Sequence, residues 1–382
     1  MPHWLNILSD ITSLFFKKEN PPKRERWISI PPIVYGCDTI KKTKEYCKER
    51  HLDISNVVIL TGPKTKNFWP EGTFEREILF EKQNFSYSNL KEKLKEIKPS
   101  LLIGLGGGSN LDLTKIVATE LNIPFVLIPT AISNDGVAAN FAKKDSRSST
   151  IPVAQAAFIL ADYNVLKQAG ELNSSGLGDI LSNYNAANDW LIATKKLGDD
   201  KTNFSNTIYT FSKQISQFCL KLAEKKNSVN EFVENLFLCA VSSGALMNSI
   251  GSSIPCSGAE HTLEKIIETN THLHGHKVAS FSLPLLTLWD YSVAKKYYKI
   301  LKKFKMPTHV NEFEISEKDF LDSAKQALSY RTPQDLSKFN YKEHRYTILN
   351  RLYDFYYNKN PKTAEEKFFK KLYNASKKIN FF

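Results

Sequence analysis

One junction constrains this chain more than any other. The apolar run Leu101–Leu105 (LLIGL) passes through Gly106-Gly107-Gly108 into Asn110–Leu121, where Leu111, Leu113, Ile116, Val117 and Leu121 recur at close to helical spacing. A third run, Pro124–Ile128 (PFVLI), ends in Pro129-Thr130. Upstream, Val57–Leu60 (VVIL) ends in the turn Thr61-Gly62-Pro63, and a charged helical stretch from Ser88 to Lys98 separates it from the glycines. Strands and helices in alternation mean a parallel sheet with right-handed crossovers, and such sheets bind ligands beyond the carboxyl ends of their strands.

From about Asn164 the pattern changes. Long periodic segments such as Asn203–Lys225 and Val229–Ile250 carry few strand signals, and the remainder to Phe382 reads as helical. A chain of 382 residues exceeds one ordinary core. The expected organisation is an extension over residues 1–27, a dinucleotide-binding α/β domain over 28–163 and a helical metal- and substrate-binding domain over 164–382, with a cleft between the last two.

Composition removes several function classes. Five scattered cysteines, odd in number and without a C-x-x-C pair, argue against a disulfide framework and a cysteine zinc site. No uninterrupted apolar run reaches the roughly 20 residues of a membrane span. The apolar stretch Leu5–Phe16 lacks the basic leader and small-residue cleavage site of a secretory signal, so a cytoplasmic enzyme is expected. The net charge of +12 is spread over the whole chain and comes with no nucleic-acid-binding module. It reads as a solvated lysine-rich surface that also favours anionic substrates.

Two sets of residues carry chemistry. Glycines between a strand and a helix let backbone N–H groups approach a pyrophosphate at a helix start, although the same loop also serves as a ligand-free tight turn. Asp112, near that start, suits either the helix dipole or the cofactor. Farther on, Asp179 in Ser175–Asp179 (SGLGD), at an apparent helix start, His261 closing Ser257–His261 (SGAEH), and His274 before Gly275 form a carboxylate-and-two-imidazole set. That set is common around a catalytic divalent ion with an open position. Singly, the Asp is usually a helix cap and each His usually a surface or core residue.

Together these stretches resemble a known family. Gly104–Lys115 (GLGGGSNLDLTK), Ile128–Ala139 (IPTAISNDGVAA), Ser175–Leu181 (SGLGDIL), Gly251–His261 (GSSIPCSGAEH), His274-Gly275 and Arg345–Leu349 (RYTIL) follow the order of motifs in the sn-glycerol-1-phosphate dehydrogenases. Those enzymes stand with the iron-containing alcohol dehydrogenases, glycerol dehydrogenases and dehydroquinate synthases. The resemblance runs from about Val34 to Leu349. It implies a dehydroquinate synthase-like fold and reduction of dihydroxyacetone phosphate to sn-glycerol 1-phosphate. It implies NADP or NAD as cofactor, with Gly106, Gly107, Gly108, Ser109 and Asn110 around the pyrophosphate and Thr130 and Ser133 also on the dinucleotide. Asp135 would touch substrate. Asp179, His261 and His274 would hold the metal, zinc most often, with iron or nickel as alternatives.

The chain departs from the family pattern at Ala139, usually Ser, at Lys265, commonly His, and at His276, commonly acidic. Lys265, one turn after His261, becomes a candidate for the substrate phosphate, alongside Lys277 and Arg345. Thr61-Gly62 stands where NAD-specific relatives place an acid, and Lys64 and Lys66 follow, so NADPH is expected to serve at least as well as NADH. Rival readings are reduction of another polyol-like or phosphorylated ketone, a dehydroquinate synthase-like cyclase, and a basic binding protein without activity. The cyclase is disfavoured because AISNDGVAA follows Thr130 where a glycine-lysine pattern is expected. Homo-oligomerisation stays open.

Overall fold

Aliphatic and β-branched runs build the sheet. The computed structural model describes residues 30–84, 86–143, 150–197, 203–225, 228–266, 272–314, 316 and 318–319. Its strands are β1 (Ile33–Gly36), β2 (Val57–Thr61), β3 (Glu77–Glu81), β4 (Leu101–Gly106), β5 (Phe125–Pro129), β6 (Phe141–Ala142), β7 (Ile151–Pro152) and β8 (Phe158–Asp162). Six form one sheet in the order β1-β8-β5-β4-β2-β3, with every pairing parallel, while β6 and β7 pair antiparallel. Strands β2, β4, β5 and β8 are buried at every residue. That is the signature of sheet interior covered on both faces. The outer strand β3 (EILFE) is a partly buried edge with a charge at each end, which is why its sequence carries so little strand signal.

The helices are α1 (Thr43–Glu49), α2 (Tyr87–Ile97), α3 (Gly108–Leu121), α4 (Tyr163–Leu166), α5 (Glu171–Leu181), α6 (Asn183–Leu197), α7 (Asn206–Glu224), α8 (Val229–Ile250), α9 (Ala259–Ile266), α10 (His274–Trp289) and α11 (Tyr291–Lys303). The chain divides into two units, Met1–Asn173 with Ser228–Gly251, and Ser174–Asn227 with Ser252–Phe382. This departs from the boundary expected at residue 163. The first unit continues to Asn173 and takes back α8 from the helical half.

Helix α8 belongs there because of what it touches. Its Gly244 lies against the loop after β5, where a Cβ would come 2.9 Å from Ala138 C and Ala139 N. One turn on, Asn248 Nδ2 donates to Ala138 O at 3.0 Å and Oδ1 accepts from Asn140 N at 2.7 Å. Among the described residues α8 is the one helix long and apolar enough to cross a membrane. Its most apolar window is 72% buried, and side chains such as Phe237, Val241 and Leu246 account for the apolar character.

The same loop is held by a buried lysine. Lys115, 2% exposed on α3, donates from Nζ to Gly136 O at 2.8 Å, Ala139 O at 3.0 Å and Phe141 O at 3.3 Å. Burial pushes its amine below the ordinary lysine value, against the opposing charges of Asp112 and Asp135. Lys115→Met keeps the length and leaves three carbonyls without this donor and two acids without its charge. It is expected to lower the unfolding free energy by about 3 kcal/mol. Urea unfolding would show this, and a loss below about 1 kcal/mol would contradict it.

Candidate metal centre and nucleotide pocket

In the second unit three helices deliver the metal-type donors. Asp179 sits in the last turn of α5, not at a helix start, because Gly176 and Gly178 lie inside the helix. His261 is the third residue of α9, and His274 opens α10. The crossing of α5 and α10 is unusually close. A Cβ on Gly275 would overlap the Ser175 carbonyl oxygen, and a Cβ on Gly178 would overlap that of Gly275. The two glycines each adjoin a donor, so their contact brings Asp179 and His274 together.

His261 Nε2 lies 3.0 Å and His274 Nε2 3.5 Å from Asp179 Oδ1, and the three ligand atoms fall within 4.8 Å of one another. A tetrahedral ion bound at about 2.0–2.1 Å sets its ligand atoms roughly 3.3 Å apart, close to both distances from Asp179 Oδ1. The outward ring nitrogens are held too. His261 Nδ1 is 2.8 Å from Glu260 Oε1, and His274 Nδ1 is 3.4 Å from Glu264 Oε1. A carboxylate on the far nitrogen fixes the tautomer and aims the other nitrogen as a ligand.

The charges of the cluster act on one another through burial and close contact. Burial pushes Asp179 up, and the hydrogen bonds and charges of His261 and His274 reverse that, holding its carboxyl well below the usual range. Burial pulls His274 down, and Asp179 and Glu264 overcome it, raising the imidazole to about 9. Glu264, also against the pull of burial, is kept low by His274 and by Lys277, whose Nζ is 2.8 Å away. Behind His261, burial and the neighbouring Glu260 push Asp189 well above the usual carboxylate range.

The first unit holds a separate feature at the carboxyl ends of β2 and β4. A cavity of about 510 Å³ is lined by Gly62, Lys64, Thr65, Lys82, Gly107, Ser109 and Asn110, among others. Helix α3 starts there with Gly107 as its N-cap, and a Cβ on Gly107 would meet nothing within 4 Å, which leaves backbone room for a phosphate. Gly108 has no such room: its Cβ would lie 2.5 Å from Asn134 Nδ2, and its N–H donates to Ser133 Oγ at 3.3 Å. Thr65 closes the turn after β2, accepting from Gly62 N at 2.9 Å and lying 2.8 Å from the buried Thr61 hydroxyl. Thr130 N donates to Gly106 O at 3.0 Å, so the loop after β5 runs beside the glycines.

Residues 34–170 match the iron-containing alcohol dehydrogenase family. A glycerol-1-phosphate dehydrogenase [NAD(P)+] of Methanobrevibacter smithii is 30% identical over 345 residues, covering 85% of this chain and 93% of the relative. The chain belongs to the glycerol-1-phosphate dehydrogenase family. A second such relative, from Metallosphaera sedula, is 30% identical over 281 residues, 68% of this chain and 78% of its own. For the fold, the crystal structure of a probable glycerol dehydrogenase from Sinorhizobium meliloti 1021 superposes with a TM-score of 0.67 at 17% identity, over 93% of this chain and 100% of that one. The parallel-sheet unit and the helical second unit thus have the fold of the iron-containing alcohol and glycerol dehydrogenases.

Within this family member the expected residues fall as follows. Asp179, His261 and His274 converge. Gly62, Gly107, Ser109 and Asn110 line the cavity, while Thr61, Gly106, Gly108 and Asp112 do not. Asp112 instead accepts from Lys143 N at 3.1 Å. Asp135 is 9% exposed in the loop that Lys115 holds. Lys265 is half-buried on α9, and Lys277 is paired with Glu264. Of the family departures, Ala139 is buried in the loop against α8, and His276 is buried with Nε2 2.7 Å from Ser174 Oγ. Arg345 and residues 1–27 lie outside the described residues. Glu260 and Glu264 escaped the sequence reading, although Glu260–Glu264 (EHTLE) places one acid beside His261 and another three residues on.

Proposed function

We propose that this protein reduces dihydroxyacetone phosphate to sn-glycerol 1-phosphate, using NADPH or NADH and a divalent ion, zinc by preference, held by Asp179, His261 and His274. One observation carries the reading: both imidazoles turn Nε2 toward one buried carboxylate while a second carboxylate holds each Nδ1. The similarity to glycerol-1-phosphate dehydrogenases supports the phosphorylated ketone over cyclase chemistry.

When bound, the ion supplies Lewis acidity to a carbonyl oxygen and the reduced nicotinamide supplies a hydride. The chain's own residues do the rest. Asp179 contributes the negative charge among the ligands. Glu260 and Glu264 keep the imidazoles in the tautomer that binds through Nε2. Asp135 orients a substrate hydroxyl, with Lys115 fixing the loop beneath it. The test is purified, zinc-loaded protein with dihydroxyacetone phosphate and NADPH, followed by nicotinamide absorbance. No oxidation of the nicotinamide sinks the proposal.

Lys265 is assigned to the substrate phosphate. It stands four residues after His261 on α9, the spacing that puts two side chains on one helix face. Lys265→Met is expected to lower kcat/KM for dihydroxyacetone phosphate about tenfold or more, the size of a charge-assisted contact of roughly 1.5–3 kcal/mol. Activity on neutral dihydroxyacetone should barely move. Equal loss on both substrates would remove the assignment.

Cofactor choice falls to Lys64 and Lys82 in the cavity wall, since Lys66 is paired with Glu81 at 2.6 Å. Lys82 Nζ reaches Ser109 O at 3.3 Å, at the start of α3. Lys82→Met is expected to reduce kcat/KM for NADPH about tenfold and leave NADH within about twofold. A parallel loss with both cofactors would mean that Lys82 supports the loop and does not read the 2′-phosphate.

A further inference from the structure

We infer that Asn185 and Asp189 are positioning residues of the metal centre, acting on His261 through Glu260; the inference rests on the metal reading above. The His261 ring is set by Glu260 Oε1 at 2.8 Å from Nδ1. Glu260 is 0% exposed, and a buried carboxylate keeps one orientation only when donors occupy its oxygens. Gly258 N–H donates to Oε1 at 2.6 Å, and the Asn185 amide donates to Oε2.

That amide is shared. Asn185 Nδ2 also lies 3.5 Å from Asp189 Oδ2, which accepts from Ala259 N–H at 2.8 Å. Asn185 and Asp189 are one turn apart on α6 and both 0% exposed, so α6 presents a fixed pair of polar groups to the start of α9. Gly258 threads between the two acids. A Cβ there would lie 2.6 Å from Asp189 Oδ2 and 2.9 Å from Glu260 Oε2. Packing alone could hold an imidazole among apolar side chains. A buried polar chain from Asp189 through Asn185 and Glu260 to Nδ1 does more: it fixes a hydrogen on Nδ1 and leaves the Nε2 lone pair for the ion.

The test measures zinc affinity of the full chain by competition with a chromophoric chelator. The visible spectrum of the cobalt-substituted protein and the melting temperature of the metal-free protein are recorded beside it. Glu260→Gln is expected to weaken zinc about 10–100-fold, and Asn185→Leu and Asp189→Leu about tenfold, each with an altered cobalt spectrum. Asp189→Asn keeps an oxygen for Ala259 and Asn185, so it should recover most of the affinity that Asp189→Leu loses. Asn185→Ser, shorter and unable to reach Glu260, stands in if the leucine variant does not fold. Wild-type protein that binds no zinc overturns the metal reading itself. Tight wild-type binding with unchanged affinity and cobalt spectrum in the Asn185 and Asp189 variants overturns the positioning role alone. A fall confined to the metal-free melting temperature does the same.

Discussion

Exchanging His261 for Ala is expected to strip the divalent ion and abolish turnover while the protein still folds. Of the proposed ligand set the change leaves Asp179 and His274, and two are too few to retain zinc against a chelator. It also removes the imidazole that lies 3.0 Å from Asp179 Oδ1 through Nε2 and 2.8 Å from Glu260 Oε1 through Nδ1. Two buried carboxylates then each lose one of their partners, at a cost of about 1–3 kcal/mol apiece, so a lower melting temperature should accompany the loss of metal. Metal content by mass spectrometry, activity and circular dichroism on one preparation decide the matter. A variant with full metal content and full activity removes His261 from the centre.

Gly275→Ala is expected to do comparable damage without touching any donor atom. Its Cβ would overlap the Ser175 carbonyl oxygen, which is helix backbone and cannot rotate away. Relief requires α10 to move off α5, and those helices carry His274 and Asp179. Overpacking of this kind costs about 1–3 kcal/mol or more in stability. A shift of about 1 Å at the donors costs roughly a hundredfold in rate. The variant should lose zinc affinity and kcat together. Wild-type zinc affinity in Gly275→Ala would show that the crossing does not set the site.

How much of this was legible depends on where the information lies. The junction of β4 with α3 announces itself through three glycines followed by helical periodicity, and α7 and α8 begin and end within three residues of their periodic segments. Strand β3 stayed hidden because EILFE at a sheet edge looks like charged surface. Gly176-Leu177-Gly178 reads as the approach to a helix start at Asp179, yet it lies inside a helix, where the missing Cβ of Gly178 admits Gly275 at the crossing. An acid beside a histidine is ordinary in sequence. Glu260 matters because it is fully buried, and so does Asp189, 71 residues away in the chain by subtraction of their numbers. Lys66 looked available for a phosphate until its partner Glu81, 15 residues on, came into view. Partners that tertiary packing chooses leave no local pattern.

The return of α8 to the first unit bears on how the protein is made. Asn140 and Asn248 are bonded across 108 residues, and between them the chain supplies α5 through α7 of the other unit. A growing polypeptide that has left the ribosome through residue 227 therefore contains every strand of the sheet but not the helix that seats the loop after β5. The first unit must wait, partly assembled and with apolar surface uncovered, until about 250 residues have emerged. During that interval its uncovered apolar surface is of the kind chaperones bind, and the order of synthesis, not the order of the fold, sets when the loop after β5 is seated.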